Sequence, residues 1–399
     1  MAHISFEKSI EILNSVLPQN KGTERVFLEN ALNRVLAEDV VAKYDNPYRE
    51  TASMDGYAVR FEDQDKEIKI IGRNPAGTFE FTEIKEGEAV KTYTGSFMPN
   101  NADTLVPIEN VEVNGDKLIV KEKVPRFHAV REVGEDFKKG EVLIKKGTVI
   151  KAGEIGVLAS LGIPVVSVVK KPIVSILATG EEVVDLDSEF KMGQIRSSNN
   201  YTLTALARSF GFEAVNLGIA GDKKEAIKEK VLDALKNSDV VVTTGGVSVG
   251  DFDFVKEITG EFEVLFHGVN IKPGQWVMLS RAGDKYIVSL PGFPYSSFVT
   301  FLLYVVPILE SLENKKVIKK IKAKLRDDFE KKFKKYQFVA VNISFENGEF
   351  IVDIRGKKQG SSGILTNMIG NRALMCLKEG LYTLKAGSEV DVLVYDRVI

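Results

Sequence analysis

Short apolar runs alternate with longer segments of helical periodicity over the second half of the chain, beginning near residue 171. This alternation is typical of βαβ units and a parallel sheet. The pattern predicts strands over 173–178, 214–220, 240–244, 262–266, 277–280 and 286–290, and helices over 202–210, 223–235 and 252–258. An α/β region with a mostly parallel sheet is therefore expected here.

The first part of the chain has a different pattern. Apolar residues recur at helical spacing over 5–17 and at a similar spacing over 32–36, which predicts two short helices. From 68 to about 125, short β-rich runs alternate with turn residues, so a small all-β module is expected. A helix-like segment over 152–161 closes this region.

Three later segments complete the pattern. The most apolar helical stretch, 298–309, is too short to span a bilayer and is interpreted as a buried core helix. The lysine-rich segment 315–335 is interpreted as a solvated linker. Residues 338–398 alternate in strand fashion between turn glycines, which predicts a last small β domain.

Length and composition narrow the class of protein. A chain of 399 residues is too long for one ordinary hydrophobic core, so two to four domains are expected. Its net charge of −2 gives no basis for general nucleic-acid binding. The one cysteine, Cys376, lies in an apolar run, so we expect a buried thiol, no intramolecular disulfide and a cytosolic setting. No signal-peptide pattern opens the chain, and no membrane role is indicated.

The candidate chemistry begins at the glycine turn that follows the predicted 240–244 strand. Gly245 and Gly246 let the backbone turn tightly and approach a ligand. The spacing of Gly245 and Gly250 is similar to that of a phosphate loop, but Asp251 stands where that motif requires lysine, which excludes a nucleotide-hydrolysing P-loop. Taken alone, the turn is equally well interpreted as an ordinary strand-to-helix connection.

Three predicted strands lead into loops that carry a carboxylate, namely Glu182, Asp222 and Asp253. The carboxyl ends of parallel strands meet at one edge of a sheet, where ligands bind. Carboxylate oxygens beside a glycine turn suit a hard cation next to a phosphate group. The sequence therefore favours a cation and phosphate site at this edge.

Two further candidates each have a simpler alternative. Asp55 and Gly56 form a turn from which the carboxylate can project, although the aspartate could serve only to make the turn. Lys272 could neutralise a phosphate beside a loop stiffened by Pro291 and Pro294, or it could be a surface lysine. The three histidines are far apart with no ligand spacing, which disfavours a zinc site.

Five motifs occur in order along nearly the whole chain: Ser53-Met-Asp-Gly-Tyr-Ala58, Thr179-Gly-Glu-Glu182, Gly245-Gly-Val-Ser-Val-Gly250, Ile271-Lys-Pro-Gly274 and Leu290-Pro-Gly-Phe-Pro294. Together they resemble the molybdopterin molybdenumtransferase family, which includes MoeA and the gephyrin E domain. The resemblance implies an α/β multidomain fold: a central α/β/α domain with a mostly parallel, MogA-like sheet, a small inserted β-rich domain, a helical linker domain and a C-terminal β-barrel-like domain. The implied boundaries are 1–44 with 137–170 for the linker and dimerisation domain, 45–136 for the inserted domain, 171–318 for the α/β molybdopterin-binding domain and 319–399 for the last domain.

The same resemblance implies an activity. Adenylated molybdopterin and molybdate, with Mg²⁺, would give molybdenum cofactor and AMP in the cytoplasm. The implied assembly is a homodimer whose cleft lies between the small β domain of one subunit and the α/β domain of the other. The pterin-adenylating enzyme and molybdoenzyme acceptors are implied as possible protein partners.

The resemblance also assigns residues. The implied catalytic residues are Asp55, Asp136, Glu182, Asp222 and Asp253, and the implied metal ligands are Glu182, Asp222 and Asp253. The implied substrate-binding residues are Thr94, Thr179, Gly180, Gly245, Gly246, Ser248, Gly250, Lys272, Pro291, Pro294 and Thr366.

The chain departs from the family pattern in three places. Gln275 stands where the family commonly has a second lysine, so one positive charge is expected to be missing from the anion pocket. The segment 336–340 ends in Ala340 and lacks the expected arginine, while Thr366 stands near the family's serine. Three hypotheses stay open: molybdenum insertion, the same reaction with tungstate, and a pterin-binding scaffold without turnover.

Overall fold

The computed structural model describes residues 3–19, 22–77, 82–221, 224–247, 258, 261–370 and 372–396. The chain divides into two compact units. The N-terminal unit comprises residues 26–32 and 36–166, and the C-terminal unit comprises residues 1–25, 33–35 and 167–399.

The helices of the described residues are α1 Phe6–Val16, α2 Ala152–Ser160, α3 Asn199–Ser209, α4 Lys224–Asn237, α5 Pro294–Thr300 and α6 Val306–Glu313. Short 3₁₀ turns occupy Leu28–Asn30, Phe61–Asp63, Ile108–Asn110 and Leu365–Met368, and a π-helical segment, Phe301–Val305, joins α5 to α6.

The strands up to residue 169 are β1 Thr23–Phe27, β2 Val40–Val41, β3 Thr51–Ala52, β4 Gly56–Val59, β5 Ile68–Asn74, β6 Glu88–Thr92, β7 Thr104–Pro107, β8 Val111–Asn114, β9 Lys117–Val120, β10 Val130–Arg131, β11 Val142–Ile144 and β12 Val165–Val169. The later strands are β13 Ile173–Thr179, β14 Val183–Val184, β15 Ile195–Arg196, β16 Glu213–Ala220, β17 Val240–Thr244, β18 Glu263–His267, β19 Ile271–Lys272, β20 Met278–Ala282, β21 Lys285–Leu290, β22 Lys319–Leu325, β23 Phe329–Lys331, β24 Tyr336–Glu346, β25 Glu349–Asp353, β26 Ala373–Leu377, β27 Tyr382–Leu384 and β28 Glu389–Val394.

The N-terminal unit contains the β-rich module that the sequence predicts. Its six-stranded sheet has the order β7-β4-β6-β5-β9-β8. All four residues of β4 are buried, because this strand lies inside the sheet and its side chains enter a core on each face. Apolar residues such as Ala58 and Leu105 fill one core, and Tyr57 and Val106 fill the other.

The predicted second helix over 32–36 is wrong. The backbone of Asn33 has a φ of 65°, a left-handed conformation that interrupts a right-handed helix. Leu36 is instead extended, and its amide donates to the carbonyl of Thr148 at 2.9 Å. Of the three spaced apolar residues, Val35 and Leu36 are buried without a helix, and Leu32 is exposed.

The C-terminal unit contains the predicted α/β sheet, with the order β16-β13-β17-β21-β20-β18. The neighbours β16, β13, β17 and β21 are parallel, and β20 and β18 add antiparallel strands at one edge. All five residues of β17 are buried. Helices α3 and α5 pack with Val240 and Val242 on one face, and α4 packs with Val241 on the other. A run of valines is thus explained by a strand that is covered on both faces.

The segment 294–313 is a core helix, as predicted, but longer than 298–309. It runs continuously for 20 residues and is long and apolar enough to cross a membrane, yet 89% of its most apolar window is buried inside the protein. Tyr304 lies in its π-helical part, and its hydroxyl forms a buried 2.8 Å hydrogen bond with that of Ser9 in α1. The helix therefore packs as the centre of the core of the C-terminal unit.

The last part of the chain forms a closed barrel of five strands in the order β24-β25-β22-β28-β26, in which β26 pairs back with β24. The predicted linker over 315–335 is wrong, since β22 and β23 lie within it. In β22, Ala323 and Leu325 point into the barrel core while their lysine neighbours are exposed. Cys376 is a buried free thiol on β26, as predicted.

Candidate functional site

The carboxyl ends of three parallel strands meet at one edge of the α/β sheet. Strand β17 pairs with β13 up to Ala178 opposite Thr244, and with β21 up to Thr244 opposite Leu290. The loops that follow these strands therefore start side by side. This arrangement brings together three of the sequence-predicted segments, those that begin at Thr179, Gly245 and Pro291.

Gly245 allows two of these loops to approach closely. Its φ is 92°, and a Cβ built at this position would lie 2.7 Å from the carbonyl oxygen of Thr179. No other residue could occupy this position without moving the backbone. The Gly245 amide donates to the carbonyl of Leu290 at 3.1 Å, and Gly246 continues the left-handed turn with a φ of 63°.

Gly180 has a comparable role beside Glu182. Its φ is 134°, and a Cβ there would lie 2.8 Å from Oε2 of Glu182. The glycine therefore allows this exposed carboxylate to fold back over the turn that follows β13. Thr179 itself is buried, and its hydroxyl lies 3.3 Å from the Thr244 carbonyl.

Four of the predicted residues, Asp222, Ser248, Gly250 and Asp253, lie outside the described residues. Within the described ranges, no group of three or more His, Cys, Asp or Glu side chains is placed to hold a metal ion. Because Asp222 and Asp253 lie outside the described residues, Glu182 is the one predicted metal ligand that the structure describes. These residues alone do not form a site that fits Mg²⁺.

A pocket of about 440 Å³ adjoins the loop after β21, and we call it the lysine pocket. It is lined chiefly by Lys272, Gln275, Pro291, Phe293, Phe333, Lys334 and Lys335. The Gly292 carbonyl, in the same loop, accepts a 2.8 Å hydrogen bond from the Asn199 side chain. A Cβ at Gly292 would lie 3.7 Å from the Cα of Gly245, so one loop adjoins both the glycine turn and the lysine pocket.

Lys272 is held in the pocket by the barrel. It lies on β19, which runs parallel to β24 and places Lys272 opposite Gln337. The Lys272 ammonium lies 3.4 Å from the centroid of the Phe333 ring, a cation–π contact. Burial lowers the pKa of Lys272, and the positive charge of Lys335 lowers it further.

Three residues of this region escaped the sequence prediction. The Lys335 ammonium donates a hydrogen bond to Oε1 of Gln275, and Phe333 forms the aromatic wall beside Lys272. His267 holds the glycine turn, since its Nε2 lies 3.0 Å from the carbonyl oxygen of Val247. The high lysine density of 315–335 gave the only signal for the first two, and it pointed to a linker.

A second, narrower space of about 30 Å³ adjoins Lys272 on its barrel side. Lys358, Asn367 and Ala340 line it, and Ala340 is buried on β24. The predicted Thr366 is exposed in the 3₁₀ turn, next to the buried Asn367.

Asp55 and Thr94 are brought together within the N-terminal unit. One carboxylate oxygen, Oδ1 of Asp55, accepts hydrogen bonds from the Thr94 amide at 2.9 Å and from the Thr94 hydroxyl at 2.7 Å. The Thr94 amide and hydroxyl lower the pKa of Asp55, so this exposed carboxyl stays ionised. Asp136 accepts a 2.8 Å hydrogen bond from the Asn46 side chain in the same unit.

Comparison with known protein families covers most of the chain. The family model described as the MoeA N-terminal region (domain I and II) matches residues 4–162. A probable molybdopterin binding domain matches residues 175–311, and the MoeA C-terminal region (domain IV) matches residues 322–395.

Individual relatives agree with these matches. The chain is 33% identical over 380 residues to a protein named molybdopterin molybdenumtransferase from Staphylococcus aureus strain Mu50, covering 92% of this chain and 90% of that one. A Staphylococcus epidermidis protein of the same name is 32% identical over equal shares. A solved structure of a molybdopterin biosynthesis MoeA protein from Pyrococcus horikoshii has 30% identity and a TM-score of 0.85, covering 99% of this chain and 100% of that one.

Proposed function

We infer the function of this chain from its family: it belongs to the MoeA family of molybdopterin molybdenumtransferases. The inferred activity is the insertion of molybdate into adenylated molybdopterin with release of AMP, a step of molybdenum cofactor biosynthesis. Both the pterin nucleotide and molybdate are anions, so the protein must offer positive charge and backbone amides to them.

One observation in the structure supports this proposal most directly. The loop after β21 adjoins the glycine turn at Gly245 on one side and the lysine pocket on the other. A substrate with several phosphate or oxyanion groups needs adjoining places for them, and a turn of backbone amides next to lysines offers such places. Pro291, at the rim of the pocket, limits the conformational freedom of this loop.

The chemistry asked of these residues is electrostatic. Release of AMP breaks a phosphoanhydride bond, and negative charge gathers on the leaving phosphate. Donors fixed before the reaction stabilise that charge without reorganising, which lowers the barrier. We assign this role to the ammonium group of Lys272 and to the amide of Gly246, since the Gly245 amide already donates to the Leu290 carbonyl.

The remaining assignments follow from the resemblance to the family. We propose that Asp55, Asp136, Glu182, Asp222 and Asp253 act in catalysis, and that Mg²⁺ is held through Glu182, Asp222 and Asp253. We further propose a cytoplasmic homodimer with the four-part division at residues 1–44 with 137–170, 45–136, 171–318 and 319–399. The sequence motifs and the position of the Glu182 carboxylate over the turn that follows β13 support this set.

The first test measures AMP release from adenylated molybdopterin, with molybdate and tungstate supplied in separate reactions. We expect molybdate-dependent AMP release by the wild-type protein and a loss of about 100-fold in Lys272→Gln, because a preorganised charge is removed. Lys316→Gln is the matched control, since Lys316 is exposed and paired with Glu310 at 2.9 Å. AMP release with tungstate but not with molybdate would show that tungstate is the substrate. Binding of adenylated molybdopterin without AMP release in either reaction would favour a scaffold.

A further inference from the structure

We propose that Lys335 is a substrate-binding residue, which adds its positive charge to that of Lys272 in the lysine pocket, and that Gln275 positions it. This inference rests on the proposed function, because the anion it binds is a phosphate group of the pterin nucleotide or the oxyanion. It explains how a chain with Gln275 in place of the family's second lysine still has a positive charge next to Lys272 at this position. The charge comes from the loop before β24 rather than from the loop after β19.

The charges in the pocket lack a counter-charge in the described part of the chain. Neither Lys272 nor Lys335 forms an ion pair with a described carboxylate. Burial lowers the pKa of Lys272 and of His3, two other basic groups, and the positive charge of Lys335 lowers both further. Two partly buried cations that repel one another are stabilised by an anion between them. The pocket is therefore built for a negatively charged ligand.

Gln275 keeps Lys335 in place without neutralising it. The amide oxygen of Gln275 accepts a hydrogen bond from the Lys335 ammonium, and both side chains line the lysine pocket. A carboxylate at position 275 would cancel the charge, and a lysine there would repel Lys335. Glutamine orients the ammonium and leaves its charge available to a ligand.

The buried side chain of Lys331 holds the loop that carries Lys335. This lysine is only 1% exposed, and its ammonium donates to the carbonyls of Phe333, of Lys335 at 2.9 Å and of Gly380 at 2.6 Å. An ammonium has three N–H groups, so the three carbonyls satisfy it fully. The same clamp fixes the Phe333 ring beside Lys272 and the backbone of Lys335. Lys331 is thus a positioning residue for the pocket.

The test measures binding of molybdate alone and of inorganic phosphate alone by equilibrium dialysis. We expect Lys335→Gln to weaken binding of at least one anion about tenfold, as for the loss of one charge-assisted contact. Lys335→Arg should restore most of the loss. The anion whose binding falls identifies whether Lys335 contacts the oxyanion or the phosphate of the substrate.

Two variants separate pocket charge from other effects. Lys332→Gln removes the same charge from an exposed neighbour that pairs with Glu330 at 3.6 Å, and it should bind both anions as the wild type does. Gln275→Glu retains both lysines but pairs Lys335 with a carboxylate, and it should weaken anion binding as Lys335→Gln does.

The proposal is overturned if Lys335→Gln binds both anions as tightly as Lys332→Gln, or if the wild-type protein binds neither. Failure of the proposed function has a different signature. In that case anion binding still depends on Lys335, but adenylated molybdopterin releases no AMP with either oxyanion.

Discussion

Asp55 in the N-terminal unit and Lys272 in the C-terminal unit both have a lowered pKa, but with opposite chemical effect. Hydrogen bonds from Thr94 lower the pKa of Asp55 and so favour its ionised form. Burial lowers the pKa of Lys272 and weakens its hold on the proton. The Asp55 carboxylate is therefore stabilised in its charged form without a ligand, whereas the charged form of Lys272 would be stabilised by an anionic ligand. The difference shows that short-range hydrogen bonding prepares the first group and tertiary packing prepares the second.

The largest expected effect comes from breaking the packing around the lysine pocket. Lys331→Met keeps a long side chain but leaves three partly buried carbonyls without this donor. Because each unsatisfied group costs on the order of 1 kcal/mol or more, we expect the free energy of unfolding to fall by about 3 kcal/mol. Urea unfolding followed by circular dichroism measures this change.

Lys332→Met is the matched control for that change, since Lys332 is an exposed neighbour of Lys331. Its unfolding midpoint should equal that of the wild type. An equal midpoint for Lys331→Met would show that packing of the 331–335 loop does not depend on the buried ammonium.

A smaller effect is expected at Glu313, a buried carboxylate of the C-terminal unit. Among the described residues neither of its oxygens has a hydrogen-bond partner, and Lys315 lies 3.9 Å away. Burial raises the pKa of Glu313 despite the nearby cations. The protonated side chain therefore contributes its full stabilisation at pH values below the pKa of the unfolded carboxyl. That contribution is lost as pH rises through the higher folded-state pKa. Glu313→Gln should therefore raise the Tm by about 2 °C at pH 8 and by less at pH 4.

Glu310 offers the contrast for this pH dependence. It is also buried, but Oε1 accepts from the amides of Val317 and Ile318 at 2.6 and 2.9 Å. Glu310→Gln should give no gain in Tm at pH 8. A gain at both positions, or a Glu313→Gln gain that is constant with pH, would contradict the role of burial at Glu313.

The smallest effect sharpens the Asp55 side of the comparison. Thr94→Val removes the hydroxyl donor but keeps the amide donor, so the pKa of Asp55 should rise toward its ordinary value while Tm stays unchanged. Thr94→Ser should preserve the lowered pKa. Carbon-detected NMR titration of the Asp55 carboxyl measures both, and an unshifted pKa in Thr94→Val would assign the effect to the amide alone.

The sequence predicted those features that depend on a continuous local pattern. The valine run of β17 announces a strand covered on both faces, and Gly245 marks a turn that excludes a Cβ. Asp55 and Thr94 are 39 residues apart, and only the family motifs connected them to a site. Lys335 and Gln275 are 60 residues apart, and no family motif marks the segment that carries Lys335.

Lys331 shows why the rest could not be predicted. Lysine is almost always exposed, so a dense run of lysines indicates a solvated segment. In the folded chain the antiparallel pairing of β23 with β27 places Lys331 opposite Tyr382, and the loop carbonyls close around it. Burial of this side chain depends on contacts with Gly380, 49 residues away, which no local pattern reports.

The buried thiol of Cys376 on β26 can report on local opening of the C-terminal unit. Cys376 lies opposite Phe338 on β24, the strand that begins directly after Lys335. Burial raises the pKa of Cys376 to about 12, so the closed barrel holds almost no reactive thiolate at neutral pH. Cys376 belongs to the same core cluster as Phe338 and Tyr295, outside the barrel interior, so alkylation of the native protein requires this core to open. The rate of alkylation would measure how often this opening occurs, without a cysteine or label being introduced.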